Sequence, residues 1–205
     1  MEEYLTVAPE TARVSEVIER SEFISFAKGI SDKEEALEFV SGLKKKYYDA
    51  THVCYAFVTD ETKRYSDDGE PQGTAGMPIL DVIEKKNLKN VCVAVVRYFG
   101  GIKLGAGGLT RAYSGGAAAV LSVAKAMKYT VCRRYSAVVP YSFLKTAKKL
   151  TEDVGRIDDT AFGEAVVLTV TITDGNVDYE GRFVNASSGK IIPEYLGEVF
   201  VPVEI

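Results

Sequence analysis

At 205 residues, the chain suits one large domain or two small ones, each able to bury a real core. Hydrophobic residues make up 46% and charged residues 26%, an ordinary globular balance. The formal net charge is −4 and there is a single histidine, which excludes a histidine-rich metal site and gives no overall pull toward nucleic acid.

No run is apolar for long enough to span a bilayer, and the opening MEEYLTVAPE lacks the basic and apolar regions of a signal peptide. Cys54, Cys92 and Cys132 are widely spaced, odd in number and set inside strand-like runs, as reduced, buried thiols would be. These features set the expectation of a cytoplasmic protein with no membrane association.

In chain order, residues 1–20 read as a lead-in of limited apolar content. Residues 21–30, SEFISFAKGI, are predicted as the first strand. Ser31 and Glu34 have the spacing of a capping box, after which Leu37, Val40, Leu43 and Tyr47 share one helical face. Lys44, Lys45 and Lys46 close that helix, where its dipole favours cations. A second strand is predicted over residues 52–59, with a short returning arm at 64–66. The loop SDDGEPQGTAGMP, residues 66–78, combines a tight-turn Asp68-Gly69 pair with Pro71 and Gly73. A helix is predicted from Thr74 to Lys86, with Pro78 in its first turn. The loop is expected to close over the glycine-rich stretch that follows.

That stretch is VCVAVVRYFGGIKLGAGGLTRAYSGG, residues 91–116. Its β-branched opening predicts a strand buried on both faces. Gly100, Gly101, Gly105, Gly107 and Gly108 come next, and helical periodicity resumes at Leu109. Strand, glycine loop and helix start leave backbone N–H groups aimed at one spot, with the positive helix end behind them. Arg97, Lys103 and Arg111 add cations, so the stretch reads as an anion-binding corner suited to phosphate. Neither GxxxxGK[ST] nor a GxGxxG leading to a ribose-binding acid is present.

Residues 85–151 contain no Asp or Glu but thirteen Lys or Arg, while all 29 acidic residues lie elsewhere. Such a one-sign segment predicts a positive face able to hold a phosphate-rich partner. Lys125, Lys128, Arg133 and Arg134 would extend the track from the corner, with Lys145, Lys148 and Lys149 beyond them. Tyr98, Phe99 and Tyr113 are candidate stacking surfaces. His52, Asp68 and Glu70 are candidate contacts from the preceding strand and loop. Asp67, Asp68 and Glu70 lack EF-hand spacing, so no metal and no cofactor is predicted.

Beyond residue 128 the predicted order is strand, helix, strand, strand, helix, strand, over residues 129–139, 142–153, 155–161, 164–173, 175–185 and 190–203. This β-α-β-β-α-β order is the split βαβ, ferredoxin-like unit. It sets the boundary between an α+β domain, 1–128, and a second domain, 129–205.

The two motifs SDDGEPQGTAGMP and VVRYFGGIKLGAGGLTRAYSGG resemble those of the IMPACT family, and the length is similar to that of its two-domain, YigZ-like bacterial branch. The resemblance implies an N-terminal domain of the ribosomal-protein-S-five domain-two-like fold and a ferredoxin-like C-terminal domain. It further implies a non-catalytic, regulatory role in translation, with RNA or a ribosome-associated protein as partner. An alternative follows from LGAGGLTRAYSGGAAAV, which resembles the phosphate loop of GHMP-type small-molecule kinases. That reading makes the chain a magnesium- and nucleotide-dependent phosphotransferase, with Asp68 or Glu70 as metal ligand or base. Leu109, Thr110 and Arg111 stand where such loops carry paired serines.

Overall fold

The computed structural model describes residues 2–205 and divides them into two compact units. One comprises Tyr4–Lys128 with Glu204–Ile205, the other Tyr129–Val203 with the described residues before Tyr4.

The first unit is a five-stranded sheet with one helix on one face and two on the other. In chain order it contains β1 (Tyr4–Val7), β2 (Ala12–Ile18), β3 (Ser21–Gly29), α1 (Lys33–Lys46), β4 (His52–Val58), β5 (Lys63–Ser66), α2 (Gly76–Lys85), β6 (Val91–Tyr98) and α3 (Gly105–Val123). The sheet runs β2-β3-β6-β4-β5, antiparallel at every pairing, with β6 at its centre. Val91, Val93 and Val95 join Ile79 and Ile83 of α2 and Leu109, Tyr113 and Val120 of α3 in one cluster. Ala94 and Val96, which alternate with them, meet Leu43 of α1. The unbroken apolar run of β6 therefore reflects burial from both sides. Arg97 follows Val95 by two residues, so it faces the side of the sheet that α2 and α3 cover.

Helix α3 lies close to β3 because Gly116 has no side chain there. A Cβ at Gly116 would overlap Ser25 Oγ.

The second unit contains β7 (Ala126–Val139, entering it at Tyr129), α4 (Leu144–Glu152), β8 (Gly155–Phe162), β9 (Val166–Ile172), α5 (Tyr179–Ser187) and β10 (Glu194–Glu204). Its strands are ordered β7-β9-β8, with β10 also paired to β7. Val166, Leu168, Val170 and Ile172 of β9 pack with Ala147 of α4 and with Tyr179 and Phe183 of α5.

Several sequence expectations are corrected. Residues 1–20 hold two strands, β1 and β2, and are no mere lead-in. β2 is an edge strand whose alternate residues are exposed, so its apolar content is low even though Val14 and Ile18 reach the core. The helix cap lies one residue further on than the box read at Ser31 and Glu34. Asp32 accepts from Glu35 N at 2.8 Å, and Glu35 accepts from Ser31 N at 2.8 Å. Leu37 is exposed, and Ala36 takes the buried position beside Val40 and Leu43. Helix α3 starts at Gly105, four residues before Leu109. Glycine's low helix propensity hides that first turn in the sequence.

Candidate functional site

The β4–β6 register sets His52 opposite Arg97, and the loop after β5 carries Glu70 to the same place. Arg97 Nη1 donates to Glu70 Oε1 at 2.6 Å, with both side chains at least nine-tenths buried. Tyr113 Oη, from α3, donates to the same oxygen at 2.7 Å. Arg97 Nη2 reaches Ser21 Oγ at 3.3 Å. The guanidinium lies 5.4 Å from the ring centroids of both Phe23 and Phe99.

His52 Nδ1 sits 2.9 Å from the Asp68 carbonyl oxygen. A carbonyl only accepts, so Nδ1 carries the proton. That leaves His52 Nε2 toward Glu70 Oε2 at 3.8 Å. The lone histidine thus has a carboxylate neighbour that its sequence surroundings do not reveal. Burial pushes the Tyr113 hydroxyl well above its ordinary range. It also pushes the Cys54 thiol up to about 12, with the charge of Glu70 adding to the effect.

The loop acids are engaged by the fold. Asp67 accepts from Gly73 N at 2.8 Å, Ala75 N at 3.1 Å and Gly76 N at 2.8 Å, capping α2 from nine residues upstream. Asp68 accepts from Val53 N at 2.7 Å and pairs with Lys44. Among the described residues, no three His, Cys, Asp or Glu side chains are grouped to hold a metal ion.

Above the cluster is a cleft of 350 Å³ lined by Glu70, Pro71, Arg97, Phe99, Lys103, Leu104, Gly105, Ala106 and Leu109. It opens on the N-terminus of α3. Leu104 occupies the N-cap position with no side-chain cap, and the first turn has no acid, so the leading backbone N–H groups have no side-chain acceptor. Gly105 has φ of 73°, which lets the chain turn into the helix without strain. Two polar atoms of the cleft residues stand out. Arg97 Nε is buried with no hydrogen-bond partner among the described residues. Both side-chain hydrogen bonds of Glu70 fall on Oε1, which leaves Oε2 facing the more distant His52.

Lys103 and Arg111 are exposed, and Lys103 lines both this cleft and a neighbouring one of 510 Å³ that includes Arg111 and Gly108. Glu16 and Glu19 line that second cleft too, so its cations are opposed. Gly107 lies beside Arg111, whose Nη1 would sit 3.6 Å from a Cβ there.

The structure corrects the reading of Arg97 as a free phosphate cation, because Glu70 neutralises it. Tyr113 is fully buried and offers no stacking face. Tyr98 is half-buried and donates to Asp49 Oδ1 at 2.8 Å, whereas Phe99 is 46% exposed. The extended basic track is broken up as well. Lys125 pairs with Glu204 at 2.7 Å and Arg134 with Asp158 at 3.5 Å. Arg133 donates to the carbonyls of Gly175 and Val177 at 3.2 and 2.7 Å. Lys128 is half-buried in β7. Arg133 and Arg134, with Lys145, Lys148 and Lys149, fall in the second unit and the remaining cations of the segment in the first.

That Arg97 needs a carboxylate partner from the loop was within reach of the sequence, though not which one. An arginine on a strand otherwise buried on both faces needs a carboxylate partner, and the nearby loop offers only three acids.

The family model for the Impact N-terminal domain matches residues 19–121. The IMPACT family member YigZ of Escherichia coli is 32% identical over 198 residues, covering 93% of this chain and 97% of that protein. The IMPACT family member YvyE of Bacillus subtilis is 53% identical over 100 residues, covering 47% of this chain and 46% of its own length. The chain thus matches about half the length of that relative. A crystal structure described as an hypothetical protein superposes with a TM-score of 0.60 at 31% identity, covering 95% of this chain and 97% of that one. The chain belongs to the IMPACT family.

Proposed function

We propose that this IMPACT-family chain is a binding protein that regulates translation by seating an RNA phosphate at the mouth of α3. One observation carries the reading: a helix N-terminus without a side-chain cap opens into a cleft lined by the exposed Lys103. Oriented N–H groups and a nearby cation are the standard physical means of holding a phosphate oxygen. Phe99 beside them is exposed and offers a face on which a base can stack.

The fold reading that goes with this function has a ribosomal-protein-S-five domain-two-like first unit and a ferredoxin-like second unit. Support for the latter is the β-α-β-β-α-β order with strands arranged β10-β7-β9-β8.

The phosphotransferase alternative draws no support from the site. The carboxylate of Asp68 is taken by Val53 N and Lys44, and Glu70 is committed to Arg97 and Tyr113.

Fluorescence anisotropy with a short single-stranded RNA tests the reading. Replacing Lys103→Ala together with Arg111→Ala is expected to weaken binding about tenfold at low salt. In a cell-free translation assay the same pair should remove the effect of the added protein. Unchanged RNA affinity in the double variant would overturn the proposal.

A further inference from the structure

We infer that the free edge of β2, with the groove between β2 and α3, takes up an extended segment of a partner protein as an added strand. The segment runs antiparallel to β2 and carries an acidic, an apolar and a basic residue in that order. The site goes beyond the RNA reading above and does not rest on it.

The edge is open and regular. β2 ends its sheet and pairs with β3 in unbroken register over its seven residues. Glu19 and Arg20 join the two strands with φ of 46° and 64°, a two-residue turn with left-handed residues at both positions. Such a turn makes Ile18 and Ser21 a hydrogen-bonded pair. Ile18, Glu16 and Val14 therefore bond to β3, while the N–H and C=O groups of Val17, Ser15 and Arg13 point away from it. Among the described residues, no loop backbone meets those outward groups. Two other edge strands are guarded: β5 has four residues, and β8 carries a bulge between Ile157 and Asp159. β2 instead presents Val17, which is 70% exposed.

The groove gives the added strand its sequence. Val14 and Ile18 pack against the core cluster that includes Leu109 and Tyr113 of α3, so Glu16 between them faces the same side. A Cβ at Gly116 of α3 would lie 3.9 Å from Glu16 Oε1. From there the groove continues past Ile18 and Glu19 to Lys103 and Arg111 and encloses 510 Å³. Gly108, Ala112 and Gly115 form its helix wall and leave room beside β2. Glu16, Glu19, Lys103 and Arg111 are all exposed. Among the described residues, none of the four is taken up by an ion pair.

A strand laid antiparallel on β2 sets one residue opposite Ile18, the next opposite Val17 and the third opposite Glu16. The first and third face α3. The first meets Lys103 and Arg111 and is acidic, whereas the third meets Glu16 and is basic. The second lies on the other face, against Val17, and is apolar. Main-chain bonds supply the affinity of such an added strand, and its alternate side chains supply the selectivity. β2 does not carry this order itself, because Glu16 is followed by Val17 and Ile18. A partner segment therefore fits the edge better than a second copy of the chain does.

The test measures anisotropy of two labelled nonapeptides on the full chain. One has the central triad glutamate, valine, lysine, and the other has glutamate, valine, glutamate, with threonine elsewhere in both. The first is expected to bind about fivefold tighter, the difference between an opposite-charge and a like-charge cross-strand pair. Glu16→Lys should reverse that preference. Ser15→Pro removes one outward N–H without touching the bonds to β3, a place where an edge strand tolerates proline. It should abolish binding of both peptides and leave RNA affinity unchanged, which separates this site from the phosphate contact.

If Ser15→Pro does not fold, the charge swap at Glu16 still decides. Equal affinity for the two peptides, or no binding of either, would overturn the proposal. So would peptide binding that survives in a folded Ser15→Pro. A dimer of the unaltered chain that Ser15→Pro dissolves, seen by analytical ultracentrifugation, would overturn it in favour of self-pairing.

Discussion

Glu70 and Arg97 are the residues on which the first unit depends most sharply. Each compensates a charge the other has taken out of water, and removing one leaves the other buried and uncompensated. Glu70→Ala is therefore expected to lower the unfolding free energy by about 3–5 kcal/mol. The double change Glu70→Gln with Arg97→Met is expected to cost far less, because no bare charge remains. Urea denaturation of the two proteins checks this. A Glu70→Ala loss no larger than that of the double variant would mean that solvent reaches Arg97. Sequence alone shows that Arg97 is out of place among valines, but not which acid answers it. Asp67, Asp68 and Glu70 fall within four positions. Only the turn between them decides that Asp67 caps a helix while Glu70 points inward.

The elements follow their sequence signals wherever one face is cleanly buried and depart from them where the backbone carries the information. The predicted strand over 164–173 appears as Val166–Ile172 because its alternation is complete. α2 lacks a polar residue at its own N-cap, Ala75, and depends on Asp67, a partner that local spacing does not disclose. Asp67→Ala is expected to destabilise the protein by about 2 kcal/mol, the upper range for a lost cap, measurable as a lowered thermal midpoint. α1 shows the acid-side counterpart. Glu35 is held below the usual carboxylate range, first by its hydrogen bond from Lys28 and then by the Ser31 N–H. A lowered folded value means that its contribution is fully present above the unfolded carboxylate range. The contribution is lost as pH falls through the folded value. Glu35→Gln should therefore reduce stability at neutral pH and leave it nearly unchanged in strong acid. Denaturation curves at the two pH values report this, and an equal loss at both would rule out the ionic origin.

At the scale of the whole molecule, the acid-free segment promises more than the fold delivers. Thirteen cations in one stretch suggest a polyanion track, yet the fold brings carboxylates from outside the segment to Arg97, Lys125 and Arg134. The sequence could not show this, because Glu70, Glu204 and Asp158 all lie outside those residues. Within the first unit, Lys103 and Arg111 are the exposed cations adjoining the α3 mouth, and a net charge of −4 gives little long-range attraction. Binding of single-stranded RNA should then release few counterions. The slope of log affinity against log salt is expected near −1.4, about −0.7 for each of two phosphates neutralised. A track using all thirteen cations would give roughly −9 on the same scale. A measured slope steeper than about −4 would mean that the strand touches more cations than these two. A slope near −1.4 that flattens further in Lys103→Ala would place the electrostatic contact at the α3 mouth, where the helix amides supply the rest of the affinity without salt dependence.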